Sequence, residues 1–452
     1  MSTACKEGFL RFFMSFIQWK EQLKEEKKVK KYQHLDRSIN LDLKNDFQEV
    51  VDAIKNITNH SFLPFIKRIS RKTRFKHRTN KLPVRTLKLR PIMYASHLDS
   101  HVYSYFNYCL SLEYEKKLKE CELSNVVLAY RSIKIPESSE GKCNIHFASE
   151  VFNYISNRGM CVVITQDIKG FFDEISHKFL FQGIKELYEG GWIDSSLVKV
   201  LHSLTAFKYI NYDDFRKNHL KQLIESKKEI PIYKLIKQYV HKNKSSKGIP
   251  QGSPLSGLLA NIYMLSFDME IRREFPAVFY RRYSDDLIFI CDEELKDNLL
   301  ASIEEKISHR DLSIQPTKTF IAKFGYANSM LKCVQVSDGN GVKNNRDYID
   351  FLGFEYNGQT THFRKNTYQK LLKKSVINRI SRKKNSTKLI KRIKPKKDTL
   401  KHRNRSNYLM KAIEVTKSDG MRIQLNKFNR KVKEKFKKSL CHINPNNNLK
   451  KL

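Results

Sequence analysis

The chain has 452 residues, 40% of them hydrophobic and 11% aromatic, which supports a packed core in two or three subdomains and excludes general disorder. Lysine and arginine number 86 against 47 acids, a formal net charge of +39 that a folded protein carries only opposite a polyanion, either nucleic acid or an anionic membrane surface. No apolar run approaches the ~18 residues of a membrane span, and the eight cysteines, scattered singly with no Cys-x-x-Cys pair, exclude a zinc signature and suit a reducing cytoplasm.

The segment Phe9-Leu10-Arg11-Phe12-Phe13-Met14-Ser15-Phe16-Ile17 has charges of both signs on its flanks and no small-residue cleavage site. It reads as an amphipathic helix packed on the protein, the alternative being a helix lying on a membrane surface, and not as a signal peptide. Residues 1–60 form an N-terminal helical extension, with Leu41, Leu43, Phe47, Val50, Val51 and Ile54 at helical spacing. Residues 67–90 carry eleven Lys or Arg and no acid, and residues 91–135 return to helical periodicity. At Cys161-Val162-Val163-Ile164-Thr165 a short apolar strand runs into a polar turn. Residues 207–247 are rich in Lys and Tyr, with one aliphatic seam of Ile230, Ile232, Leu235, Ile236 and Val240. A helix follows from about Pro254 to Ile271, and then an apolar hairpin from Val278 to Ile290, split by Ser284-Asp285-Asp286. Residues 363–452 hold 30 Lys or Arg and four acids, so 26 of the 39 net charges sit in the last fifth of the chain. The tail from about Asn444 to Leu452 is polar and frayed.

Two carboxylate patterns carry chemistry. Asp167 closes the apolar strand in Asp167-Ile168-Lys169-Gly170-Phe171-Phe172-Asp173. An acid there costs desolvation energy unless a cation sits beside it, although a helix N-cap explains it equally well. Asp285 and Asp286 stand together at a hairpin tip where Asn-Gly or Asp-Gly is the usual choice. Two adjacent acids on strands that look buried on both faces point to a bound cation; acids on an exposed tip need no such partner. A strand-end Asp followed 118 residues later by a hairpin Asp-Asp suits two Mg²⁺ ions about 3.5–4 Å apart. Mg²⁺ needs few protein ligands, because substrate phosphates and water complete its octahedron.

With these blocks in place the sequence resembles the reverse transcriptase family over roughly residues 80–360. The blocks occur in the family's order: Lys88-Leu89-Arg90-Pro91-Ile92, Ala129-Tyr130-Arg131, Asp167 to Asp173, Gly248-Ile249-Pro250-Gln251-Gly252-Ser253-Pro254-Leu255-Ser256, Tyr283-Ser284-Asp285-Asp286, Pro316-Thr317-Lys318-Thr319 and Phe351-Leu352-Gly353-Phe354. The resemblance implies an α+β right-hand polymerase with fingers, palm and thumb. The palm would be an antiparallel sheet backed by helices (166–206 and 248–360), the fingers 61–165 with an insertion at 207–247, and the thumb a basic helical RNA-binding region at 361–452.

It also implies roles. Asp167, Asp285 and Asp286 would be catalytic, with Ile168 joining them around metal and nucleotide. Phe172 would sit under the sugar and block a 2′-hydroxyl, selecting dNTPs; a core Phe is the plainer reading. Arg131, with Arg90 or Lys88, would clamp the triphosphate by bidentate contacts, the alternative being general backbone attraction. Gln251 and Gly252 would line the nucleotide pocket. Lys318 would protonate the leaving pyrophosphate, unless it is one more solvated lysine.

No ribonuclease H, protease, integrase or zinc-type endonuclease is expected in the basic C-terminal stretch. The chain is most similar to compact prokaryotic enzymes. Within these, Arg90-Pro91-Ile92-Met93-Tyr94-Ala95-Ser96-His97-Leu98-Asp99-Ser100 and the N-terminal 60 residues resemble the phage-defence-associated group more than retron enzymes. The implied partners are a structured non-coding RNA template, dNTPs and a DNA product. The competing classes are an RNA-dependent RNA polymerase, a protein-primed polymerase and a non-enzymatic RNA-binding protein on a polymerase scaffold.

Overall fold

The computed structural model describes residues 15–23, 25–30, 32–78, 81–216, 237–338, 341, 343–344, 346–373, 375 and 400–441. A helix over residues 15–22 buries Phe16 and Trp19 against the body. Phe16 stacks on Tyr105 at 4.4 Å, and Trp19 Nε1 donates to Ser104 Oγ at 3.1 Å. Helix α1 (Lys44–Lys55) buries Val50, Val51 and Ile54 on one stripe. The N-terminal region is thus packed on the protein; Phe9 to Met14 lie outside the described residues.

The acid-free basic run is a long hairpin, β1 (Phe65–Arg78) with β2 (Lys81–Tyr94). Extended backbone suits it because like charges on one face of a strand stand ~7 Å apart. Pro83 and Pro91 lack an N–H and are tolerated because β2 is a sheet edge. The strand runs through Pro91 to Tyr94, so helical structure starts only at α2 (His97–Glu120), capped by Ser96 Oγ accepting from Asp99 N at 3.0 Å.

Helix α3 (Asn144–Arg158), strand β3 (Cys161–Asp167), and helices α4 (His177–Lys185) and α5 (Ser195–Thr205) follow. β4 (Lys208–Asn211) runs parallel to the base of β1, and β5 (Val240–Lys242) closes a four-stranded sheet in the order β2-β1-β4-β5. The seam residues Ile230 to Ile236 lie outside the described residues. The helix expected from Pro254 to Ile271 is two helices, α6 (Ser256–Tyr263) and α7 (Leu265–Glu274), meeting at Met264.

Strands β6 (Phe279–Tyr283) and β7 (Asp286–Cys291), helix α8 (Lys296–Ser308), and strands β8 (Phe320–Ala327), β9 (Met330–Asp338) and β10 (Lys343–Asn344) complete a six-stranded antiparallel sheet in the order β10-β9-β8-β3-β7-β6. Its alternate side chains feed two separate cores. Val162, Ile164, Leu287 and Phe289 pack with α4, α6 and α8. Cys161, Val163, Ile288 and Ile290 pack with α3 and with a small sheet of β11 (Ile349–Phe351), β12 (Phe354–Tyr356) and β13 (Thr361–Phe363). Leu409 and Ala412 of α9 (Leu400–Thr416), and Met421, Phe428 and Val432 of α10 (Asp419–Cys441), join that second core.

Each fully buried Ile or Phe contributes ~1.5–3 kcal/mol. A one-residue slip of β3 or β7 would exchange the two sets, so the register at the strand ends is rigidly held. Residues 144–158 and 161–165, expected in the fingers, belong to this sheet and its second core. Phe152 and Ile155 need an apolar partner, and β3 is apolar on both faces.

Candidate active site

The sheet register decides where the carboxylates stand. Asp167, the last residue of β3, pairs directly with Asp286, the first residue of β7. The tie is doubled across the turn, where Ile168 N donates to the Asp285 carbonyl at 3.0 Å. Tyr283 pairs with Asp286, so Ser284 and Asp285 are the two loop residues of the β6–β7 hairpin. Ser284 takes φ +61° at a position where hairpins usually place glycine. The three aspartates that the sequence separates therefore meet at one end of one sheet.

Their charge is poorly compensated. Burial first, and then Asp285 and Asp167, push the Asp286 carboxyl up to about 7. Burial and Asp167 also raise Asp285 above the ordinary carboxylate range. Two cations act on the cluster: Lys318, whose Nζ is ion-paired with Asp167 Oδ1, and Arg364, whose charge is felt at Asp286. Lys318 lies at the end of a 3₁₀ turn (Pro316–Lys318) that the chain bonds to the strand end, Gln315 N donating to the Asp167 carbonyl at 2.8 Å. It is not a free surface lysine.

The loop from Gly248 to Ser256 straps the neighbouring pieces together. Ile249 N donates to the Phe172 carbonyl at 3.0 Å, Met93 N donates to the Gln251 carbonyl at 2.8 Å, and Ser256 Oγ donates to the Pro250 carbonyl at 2.7 Å. Gly252, at φ +126°, has no room for a side chain, because a Cβ would lie 2.6 Å from the Met93 carbonyl oxygen. The close approach at Gly252 is thus made to the end of the basic hairpin. Arg90 lies three residues before Met93 and is exposed. Phe172 is half-buried, with Tyr130 edge-on to its ring at 6.4 Å.

Arg131 departs from the expected triphosphate clamp. Its Nε and Nη2 donate to the Glu115 carboxylate at 2.7 and 2.6 Å, and Nη1 donates to the carbonyls of Ser124 and Val127 at 2.7 and 2.5 Å. The guanidinium is 5% exposed and spends its fork on the chain itself. It anchors the loop that carries Tyr130.

Sequence reasoning missed the support beneath the hairpin. Arg282 and Asp268 are both fully buried and paired, Nε to Oδ1 at 2.9 Å and Nη2 to Oδ2 at 2.5 Å. Tyr280 donates its hydroxyl to Asp268 at 2.6 Å, and Arg282 Nη1 reaches Asn261 Oδ1 at 3.0 Å. The signal was an arginine inside an apolar strand and an aspartate inside a helix, which only the packing of α7 beneath β6 brings together.

The reverse transcriptase (RNA-dependent DNA polymerase) family matches residues 114–356, more than half of the chain, from the last turns of α2 to the end of β12. The chain belongs to that family. It is an RNA-directed DNA polymerase with the right-hand polymerase fold of mixed helices and sheets. Among solved structures the enzyme is similar to a telomerase from Candida albicans in complex with a TWJ fragment of telomeric RNA, at 12% identity over 90% of this chain and 72% of that one, with a TM-score of 0.39. It is also similar to an apo telomerase from Candida tropicalis truncated from the C-terminal domain, at 13% identity over 73% of this chain and 62% of that one, with a TM-score of 0.36. No curated protein matches the chain in sequence.

Reverse transcriptases use divalent metal ions. Among the described residues no three His, Cys, Asp or Glu side chains stand in metal-holding geometry. The donor set nevertheless fits a hard divalent cation: three clustered carboxylates, two of them pushed up by burial and by neighbouring carboxylates, with an ammonium drawn onto the third. Among the described residues no helix is long and apolar enough to cross a membrane.

Proposed function

We propose that the enzyme copies a structured non-coding RNA into DNA from dNTPs in the cytoplasm, as part of antiphage defence, with Mg²⁺ held by Asp167, Asp285 and Asp286 and the main chain at Ile168. The observation that carries the polymerase site is the direct pairing of Asp167 with Asp286 beside Asp285. Two Mg²⁺ ions, when bound, supply activation of the primer 3′-hydroxyl and neutralisation of the leaving pyrophosphate.

The chain's own residues do the rest. The doubled backbone tie at Ile168 holds the carboxylates at fixed spacing, so little reorganisation accompanies the reaction. Lys318, ion-paired with Asp167 at the strand end, would hold a proton donor for the leaving oxygen of the pyrophosphate. Phe172, strapped by Ile249, walls the nucleotide's sugar edge and selects deoxyribose. Arg90, exposed close to where the basic hairpin meets Gln251 and Gly252, serves the triphosphate. The six-stranded sheet acts as palm, the β1–β2 sheet as fingers, and α9 with α10 as thumb, the basic surfaces holding RNA by its phosphates.

Sequencing of the RNA and DNA that co-purify with the wild-type enzyme and with an Asp285→Ala/Asp286→Ala double variant tests this. One abundant structured RNA in both, with complementary DNA only in the wild type, is the expected result. RNA without DNA in either, with dNTPs and Mg²⁺ supplied, overturns templated synthesis. Equal phage plating on cells carrying the wild type and the double variant overturns the defence role.

A further inference from the structure

Tyr130 stands where three separated parts of the chain meet. Its ring is edge-on to Phe172, its hydroxyl is 3.4 Å from Ser284 Oγ at the tip of the catalytic hairpin, and its ring covers Gly257. A Cβ on Gly257 would lie 2.6 Å from Tyr130 Cδ1, so that glycine is the space the ring occupies. The residue has φ +59°, a left-handed conformation that an aromatic residue adopts only under constraint.

The constraint is visible on both sides. Asn261 Nδ2 donates to the Ala129 carbonyl at 2.8 Å, and the same amide's oxygen accepts from the buried Arg282. Arg131 is locked to Glu115, Ser124 and Val127. Leu128 N donates to the Arg282 carbonyl at 2.9 Å. The fold thus clamps residues 128, 129 and 131 and forces 130 into a strained backbone, yet leaves the residue 55% exposed. Strain held in place by so many bonds around an exposed residue places its ring for use, not for packing.

We infer that Tyr130 is a positioning residue for sugar selection: it sets the tilt of Phe172 and the height of the Ser284 turn, and so shares control of which nucleotide sugar fits beside Asp285. The inference rests on the reading of Phe172 as the sugar gate. Its ring is the rigid backstop that keeps Phe172 from swinging away from a 2′-hydroxyl. The hydroxyl contact to Ser284 is secondary.

The test is steady-state incorporation of dNTP and matching rNTP by Tyr130→Gly, Tyr130→Phe, Phe172→Ala and the Tyr130→Gly/Phe172→Ala double variant. Glycine accepts φ +59° freely, so ring removal is separated from backbone damage, and melting curves check that the fold is kept. Tyr130→Phe, which retains the ring, should keep the wild-type preference for deoxyribose. Tyr130→Gly should lower that preference by about tenfold, the range for one lost apolar contact in a pocket, through a lower KM for rNTP and not through kcat alone. The double variant should discriminate no worse than Phe172→Ala. If Phe172→Ala relaxes selection but Tyr130→Gly does not, or if the two effects multiply, Tyr130 does not act through Phe172. If Phe172→Ala itself leaves selection unchanged, the gate reading fails and this inference with it.

Discussion

One hairpin, β6–β7, carries buried charge at two places, and the two are treated oppositely. Beneath it, Arg282 and Asp268 are fully buried with Tyr280 and Asn261 completing their hydrogen bonds. At its tip, Asp285 and Asp286 sit partly buried beside Asp167, with Lys318 on Asp167 and Arg364 nearby, and both carboxyls are still pushed up. The paired site is spent on structure. The underpaired site stores electrostatic free energy that a divalent cation would release on binding. Satisfaction of charge, more than burial, separates the scaffold from the chemistry.

The largest expected effect comes from emptying the tip. Asp167→Asn removes a carboxylate of the proposed metal site and should lower primer extension by on the order of 10⁴-fold, each decade being about 1.36 kcal/mol of barrier. RNA retention on a filter is expected to stay at the wild-type level, and an extension rate close to wild type would end the assignment. Breaking the paired site should do the reverse, costing stability before chemistry. Arg282→Met leaves Asp268 buried alone, a loss of about 3–5 kcal/mol by chemical denaturation; joining it with Asp268→Leu should recover most of that. If Arg282→Met unfolds no more easily than the wild type, the network is not structural.

Lys318 tests the border between the two regimes. As a proton donor to pyrophosphate, its replacement by Met should slow single-turnover incorporation about 10²-fold, with a reduced solvent isotope effect. An unchanged rate would reduce it to a counter-ion of Asp167. Arg131→Ala belongs with the structural group. It should cost about 1.5–3 kcal/mol for lost hydrogen bonds to a charged group and leave KM for dNTP at the wild-type value. A large rise in KM with stability preserved would restore the triphosphate role.

The smallest effect is in pH. Asp286 sits near 7 in the fold against about 3.9 unfolded, so its contribution to stability is fully present below about pH 4 and is lost as pH rises through about 7. The metal-free enzyme should melt lower at about pH 8 than at about pH 5, and Asp286→Asn should flatten that slope. Metal affinity should run the other way, rising as the carboxyls ionise. A metal-free melting temperature that climbs across this range would show that the tip is better compensated than its geometry implies.

Sequence alone went far here because reverse transcriptase chemistry is written in short contiguous runs. Asp167, Tyr283 to Asp286 and Gly248 to Ser256 each combine residue types that local structure rarely demands together, so the sheet and its carboxylates were legible before any coordinates. The apolar runs around them also foretold strands buried on both faces, as β3 and β7 are, whereas β6, at the sheet edge, is buried on one face only. What the sequence could not show is partner choice across space. It read Arg131 as free because its acid, Glu115, lies one helix away, and a guanidinium's availability depends on every acceptor the fold brings within 3 Å. It passed over Arg282 because one arginine in a strand looks like any surface residue until α7 supplies Asp268. It saw the basic run of residues 67–90 as charge without shape, since like charges repel along either a helix or a strand; pairing β1 with β2 and docking β2 on Gly252 decided the hairpin. And Tyr130 was only the middle of the Ala129-Tyr130-Arg131 block, with no role of its own, until the fold clamped its neighbours and left its ring facing Phe172. Local composition determines which chemistry is on offer; only tertiary packing decides which charges are satisfied and which are left to act.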